Sequence, residues 1–258
     1  MSYWQDRMAS AQTKLTTKTY KEIEKQTAKY YQSAMKKTIA DFVNTYDRVQ
    51  KGLKDDIQPT PADLYKLDKY WHSQAQMREV LQKLGEKQIV ALSNAFEANF
   101  FDIYYSIALP GMEAFSSIDK TIVQQLINQI WVADGKTWSD RIWDNVEQLA
   151  EMLNEQLLDC VINGKDTNQL KMMLQDRFNV SYSNADSLVR TELAHIQTQA
   201  SQQRYTDYGI DMVEVWADED ERRCDICGKL HQKRFPVGSQ MPIPAHPRCR
   251  CCIVPVID

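Results

Sequence analysis

At 258 residues, 43% hydrophobic and 26% charged, the chain is long enough for one large core or two small ones, and its composition is that of a globular protein. No run of about eighteen apolar residues occurs, which excludes a membrane-spanning helix. The net charge of −4 is unevenly spread: residues 1–54 carry eleven Lys/Arg against five Asp/Glu, residues 55–204 thirteen against twenty-one.

Residues 3–50 read as one long helix, with Tyr20, Ile23, Tyr30, Tyr31, Ala34, Ile39, Phe42, Val43 and Tyr46 on a broad apolar stripe. Lys14, Lys18, Lys21, Lys25 and Lys29 fall three or four apart, the pattern of a solvated helix face. Because phosphate neutralisation favours such a basic segment, these five with Lys36 and Lys37 are the candidate DNA contacts. Gly52 and Asp55–Pro59 break the helix, and Thr60, Pro61 and Asp63 form a restart of good chemistry: a cap, a first-turn proline and an acid at the positive end. That helix is expected to run to about Leu84, and a second, crowded with aromatics, from Gln88 to Ile107, ended by Pro110-Gly111.

Ile118 to Val132 is expected to be a short apolar helix, followed by a turn over Ala133–Lys136. Ser139 is the expected cap of a helix ending at Asn163-Gly164, Thr167 that of a helix over 168–178, and Ser183 that of one over 184–208 with Gly209 as its C-terminal stop. From Asp211 the pattern changes. Met212–Trp216 alternates like a strand, and Arg234–Val237 and Ile253–Val256 are two further extended pieces whose prolines confine them to edges.

The dense chemistry lies in the last thirty-five residues, which hold five of the six cysteines. Cys224 and Cys227 stand two residues apart, as two thiolates must to reach one ion from a tight turn; eighteen residues later His246 and Cys249 repeat the i, i+3 spacing, followed by Cys251 and Cys252. Two such half-sites make a structural zinc site of Cys3His type, with Cys224, Cys227, His246 and Cys249 as ligands and Cys251 as the alternative fourth. Arg222, Arg250 and Asp220 are candidates to support the ligands, and His231 reads as a solvent-facing turn residue. Disulfides are the competing reading; Met1-Ser-Tyr-Trp shows no signal-peptide pattern and no cysteines staple the rest, so folding under reducing conditions is expected. Trp216, Phe235 and Ile253 are expected to form a small core beside the metal, separate from that of the helices.

The order of these parts resembles the Mu F-like minor head proteins of tailed phages, a head morphogenesis family. The resemblance runs from about Gly135 to Ile257 and rests on Asp134–Trp143, Leu188-Val-Arg-Thr-Glu192, Tyr205–Gly209, the segment from Asp220 to Cys227, and the segment from Pro244 to Cys251. Two features depart from the pattern: His231-Gln232 stands where members place a glycine, and Cys252 is extra. The resemblance implies a non-catalytic virion component, made in the bacterial cytoplasm and lying inside the head near the portal. It also implies portal and other head proteins as partners, and a part in head morphogenesis and DNA entry or exit. No membrane or small-molecule substrate is implied.

The expected class is mainly α with a small C-terminal α+β module: an elongated helical region over 1–133, then a family domain over 134–258 whose zinc-stapled β tail begins near 211. The alternatives are a zinc-dependent nucleic-acid-binding protein and, less favoured, a zinc-dependent nuclease or a transferase using Arg190-Thr191-Glu192. The nuclease lacks a His-Glu or His-Asn-His arrangement, and four protein ligands leave no open position on the metal.

Overall fold

The computed structural model describes residues 3–51, 60, 62, 65–66, 68–109, 117–217, 221 and 223–257. The expected break at Gly52 and Asp55–Pro59, the restart at Pro61 and Asp63, and the stop at Pro110-Gly111 lie outside them. The fold class is as expected. The elements are α1 (Tyr3–Lys51), α2 (Asp68–Ser106), α3 (Lys120–Ile127), α4 (Trp138–Ile162), α5 (Thr167–Asp207), β1 (Met212–Trp216), α6 (Asp225–Leu230), β2 (Arg234–Pro236) and β3 (Cys252–Pro255).

Four expected boundaries move. Gly85 does not divide α2, because the helix passes through it and the indole of Trp143 occupies the space beside it: a Cβ there would lie 2.5 Å from the ring. The polar run Asn179–Asn184 does not divide α5. Ser181 is fully buried, and Asn145 Nδ2 donates to its carbonyl at 3.0 Å and to the Tyr31 hydroxyl at 2.9 Å, so packing overrides a weak helix propensity. The cap of α5 is Asp166 rather than Thr167: Gln169 N–H donates to Asp166 Oδ1 and Gln169 Oε1 accepts from Asp166 N–H, both at 2.9 Å, a reciprocal capping box. Helix α4 starts at Trp138, so Ser139 sits inside its first turn. Gly209 does end α5, at φ 70°, with Ile210 N–H reaching Tyr205 O and Gly209 N–H reaching Thr206 O.

The chain forms two compact units that alternate along the sequence. One comprises residues 25–90 and 139–185. Its core is mainly aliphatic and aromatic: Phe42 and Tyr46 of α1, Leu81 and Leu84 of α2, Leu149, Leu153 and Leu157 of α4, and Leu174 and Phe178 of α5 are all buried. Tyr46 hydroxyl donates to the carbonyls of Cys160 and Lys165, satisfying the end of α4 from inside the core.

The other unit comprises residues 1–24, 91–138 and 186–258. Here Phe96, Phe100, Ile103 and Tyr104 of α2 and Leu193, Ile196 and Tyr205 of α5 are buried together with Val213, Val215, Ile253 and Val254 of the sheet. The sheet is antiparallel in the order β2-β1-β3, with Val213 opposite Phe235 and Pro255, and the two strand prolines on its edges as expected. Edge strand β3 is not left bare: Gln5 Nε2 donates to Pro255 O at 3.2 Å, and Tyr205 hydroxyl donates to Ile253 O at 3.2 Å. The tail therefore does not carry the separate core expected of it, since Val213, Val215 and Ile253 are buried in the same unit as residues 186–207 of α5. Trp216 and Phe235 are only half-buried.

Candidate metal centre

Cys224 caps the six-residue helix α6, and its Sγ accepts the Cys227 N–H at 3.4 Å. One helical turn then brings the two sulfurs to the same side, which is why the two-residue spacing works. The second half-site is a turn in which Cys249 N–H donates to His246 O at 3.2 Å, with Arg248 held at φ 62°. Its N–H is fixed by Thr191 Oγ1 at 3.0 Å, so a side chain of α5 secures this strained backbone.

The donors converge. His246 Nε2 lies 3.2 Å from Cys224 Sγ and 3.1 Å from Cys227 Sγ, and the sulfurs of Cys227 and Cys249 are 3.8 Å apart. Tetrahedral zinc–thiolate bonds of about 2.3 Å place two sulfurs about 3.8 Å from each other. Cys224, Cys227 and His246 form one group that can hold a metal ion, and Cys227, Cys249 and Cys251 a second. Cys227 is common to both, and both alternatives for the fourth ligand therefore lie at hand.

The second nitrogen of His246 supports a ligand role. Nδ1 is 2.8 Å from the Pro247 carbonyl, so a proton on Nδ1 is donated there and the Nε2 lone pair faces the sulfurs. The same bond raises the imidazole above its usual range, so acid competes for the ring. Cys224 is lowered by the Cys227 N–H, Cys249 is lowered by a hydrogen bond from Cys251, and burial raises Cys227. A thiolate-rich set with one imidazole suits zinc and other soft-ligand metals rather than calcium or magnesium.

The remaining sequence candidates fall elsewhere. Cys252 is in β3, outside both groups and beside Tyr205, and buried Cys160 lies among the helices, its thiol pushed up to about 11 by burial. His231 is not a solvent-facing turn residue but half-buried, accepting the Ala217 N–H at 3.2 Å next to Trp216. Gln232, at the position where a glycine was noted as missing, adopts φ 62°. Arg250 is exposed, whereas Asp220 and Arg222 lie outside the described residues. Lys14, Lys18, Lys21, Lys25, Lys29, Lys36 and Lys37 are all exposed on α1.

Arg190, Thr191 and Glu192 are each engaged by neighbouring groups. Arg190 pairs with Asp186 at 3.2 Å and stacks on Tyr20 at 3.9 Å, Thr191 holds Arg248, and buried Glu192 accepts Trp131 Nε1–H at 3.0 Å. Sequence reasoning missed Asp186, which binds Tyr20, Arg190 and Arg248. Its only local signal is the i, i+4 spacing to Arg190. Also missed was His195, buried, stacked on Trp131 at 4.4 Å and lowered to about 4 by desolvation.

No described helix is long and apolar enough to cross a membrane. No curated protein and no solved structure matches the chain. The family described as Phage Mu protein F like protein matches residues 151–254. That span leaves out the Asp134–Trp143 motif but contains all five candidate donors. Over these residues the chain is similar to the Mu F-like family, which supports the resemblance carried by the four motifs from Leu188 onward.

Proposed function

We propose that this protein is a minor head component of a tailed phage, acting in head morphogenesis and built around a structural zinc ion in its C-terminal segment. The observation that carries the reading is the convergence of Cys224, Cys227, His246 and Cys249, with Cys251 as alternative fourth ligand, at zinc-like spacing inside the family's matched residues. When bound, zinc supplies four strong bonds that cross-link two segments of a tail rich in turns. His246 is oriented by Pro247, and Thr191 keeps the Cys249 turn in place. With four protein ligands the ion has no open position, which favours a staple over catalysis.

The finer reading takes residues 134–258 as the family domain. It places the protein inside the head near the portal, with portal and other head proteins as partners and a role in DNA entry or ejection. Co-expression with the coat and portal proteins of the same phage tests it. The protein is expected to sediment with assembled heads in few copies, and its absence from heads assembled in its presence contradicts the reading. A nucleic-acid-binding role is the second reading, favoured by the exposed lysines of α1.

A further inference from the structure

We infer that a groove beside the cysteine cluster is a site for the phosphodiester backbone of a nucleic acid. The inference rests on the head-protein reading for its biological setting and narrows the nucleic-acid contact to one place. The groove, about 410 Å³, is bounded by α1, α5 and the Cys249 turn, and Lys21, Arg190, Arg248 and Arg250 line it. A second groove of about 470 Å³ shares Thr13, Thr17 and Lys21 with it and adds Lys14 and Lys18. Six cations thus follow one another along a continuous track. The carboxylates set against them are Glu22, Glu24 and, behind the arginines, Asp186.

The arginines are held in place rather than left to wander. Arg190 Cζ sits 3.9 Å over the Tyr20 ring, Arg190 and Arg248 are each 3.2 Å from the Asp186 carboxylate, and Arg190 also reaches Glu24 at 3.9 Å, so the two arginines are pinned by two carboxylates. The Tyr20 hydroxyl donates to Asp186 at 2.6 Å and is also 2.7 Å from Glu24, drawing acidic oxygens toward itself. Planar guanidiniums fixed in this way match phosphate oxygens in pairs, and the threonine hydroxyls of α1 add neutral donors. A row of cations, rather than a single knot, fits a chain of phosphates better than one isolated anion.

The track also says what it does not read. Among the described residues the one aromatic ring lining it, Tyr20, is already covered by Arg190, so they offer no open platform on which a base can stack. Contact is therefore to the backbone and independent of sequence. Lys25, Lys29, Lys36 and Lys37, although exposed on the same helix, line neither groove and are excluded from the site.

The test uses the full, metal-loaded chain and a short fluorescent DNA duplex, with anisotropy followed across a salt series. Lys21→Glu and Arg250→Glu are expected to weaken binding about tenfold each, and to lower the slope of log affinity against log salt by about one per lost phosphate contact. The double variant Lys36→Glu, Lys37→Glu is expected to bind as the native chain does. Metal content is measured for each variant; Lys21→Glu, on α1, keeps the test valid where Arg250→Glu disturbs the cluster. Native-like binding by Lys21→Glu overturns the inference, as does no salt-dependent binding by the native chain. Displacement of the duplex by inorganic phosphate at constant ionic strength, or equal affinity for polyglutamate, overturns it in favour of a small-anion or acidic-peptide site. Loss of DNA binding with incorporation into heads retained defeats this inference alone, whereas DNA binding without incorporation defeats the head reading alone.

Discussion

In the unit of residues 25–90 and 139–185, four helices bury Phe42, Tyr46, Leu81, Leu149, Leu157 and Phe178 against one another. Between Ala217 and Cys252, by contrast, the chain buries few side chains beyond Cys227, Ile243, Cys249 and Cys251. The first region is stabilised by many small apolar contributions, none of them indispensable. The second depends on a handful of donors, so a single change in it has a large but local effect. A protein can thus join a redundant core to a segment whose buried side chains are mostly the donors of a candidate metal centre.

The largest expected effect is that of Cys227→Ser, because Cys227 belongs to both donor groups. Structural zinc contributes on the order of 10 kcal/mol to the folding of small metal-dependent modules. The variant is expected to lose its metal and to gain protease cleavage and hydrogen exchange between residues 217 and 251. Protection at Val213, Val215 and Ile253, buried beside α5, should persist. Exchange spreading to α4 would show that the two regions are not independent.

Next comes Leu149→Ala, which leaves a cavity in a fully buried site and is expected to cost about 2–5 kcal/mol. Urea unfolding measures the loss, and metal content should be unchanged. A variant that also releases metal would break the contrast from the other side.

His195 supplies a pH dependence. Burial lowers its folded pKa to about 4, against an ordinary value near 6.5. The unfolded chain therefore takes up the proton first, and the sign follows: this stability is complete above about pH 6.5 and is lost as pH falls toward about 4, by up to about 3 kcal/mol. His195→Phe should flatten the decline of the urea midpoint between about pH 7 and about pH 5. An equal slope in both proteins would remove His195 from the account.

The smallest effect is at Gln232, whose φ of 62° suits glycine. Gln232→Gly is expected to raise stability by up to about 1 kcal/mol, since left-handed backbone costs a side-chain-bearing residue roughly that much. Its N–H bond to Val215 O, at 2.8 Å, needs no side chain. A lower thermal midpoint would contradict this.

These contrasts also explain what was legible in the sequence. The apolar stripe of α1, the alternation of Met212–Trp216, the glycine stop at 209 and the two cysteine half-sites are local periodicities, and each was readable with only its neighbours in view. The breaks expected near Gly85 and Ser183 failed because their causes are distant: Trp143 fills the space at Gly85, and Asn145 and Tyr31 satisfy Ser181. Asp166 was passed over for Thr167 although Gln169, three residues on, marks it as a capping box. The docking of β3 through Gln5, Gln12 and Tyr205 spans most of the chain and leaves no short-range trace.

The central claim is that the cysteine–histidine cluster is a zinc staple. Metal analysis by mass spectrometry, on protein purified under reducing conditions without added metal, tests it most directly. The account predicts one zinc per chain, lost in Cys224→Ser. Protein that folds without metal, with its cysteines oxidised to disulfides, would contradict it.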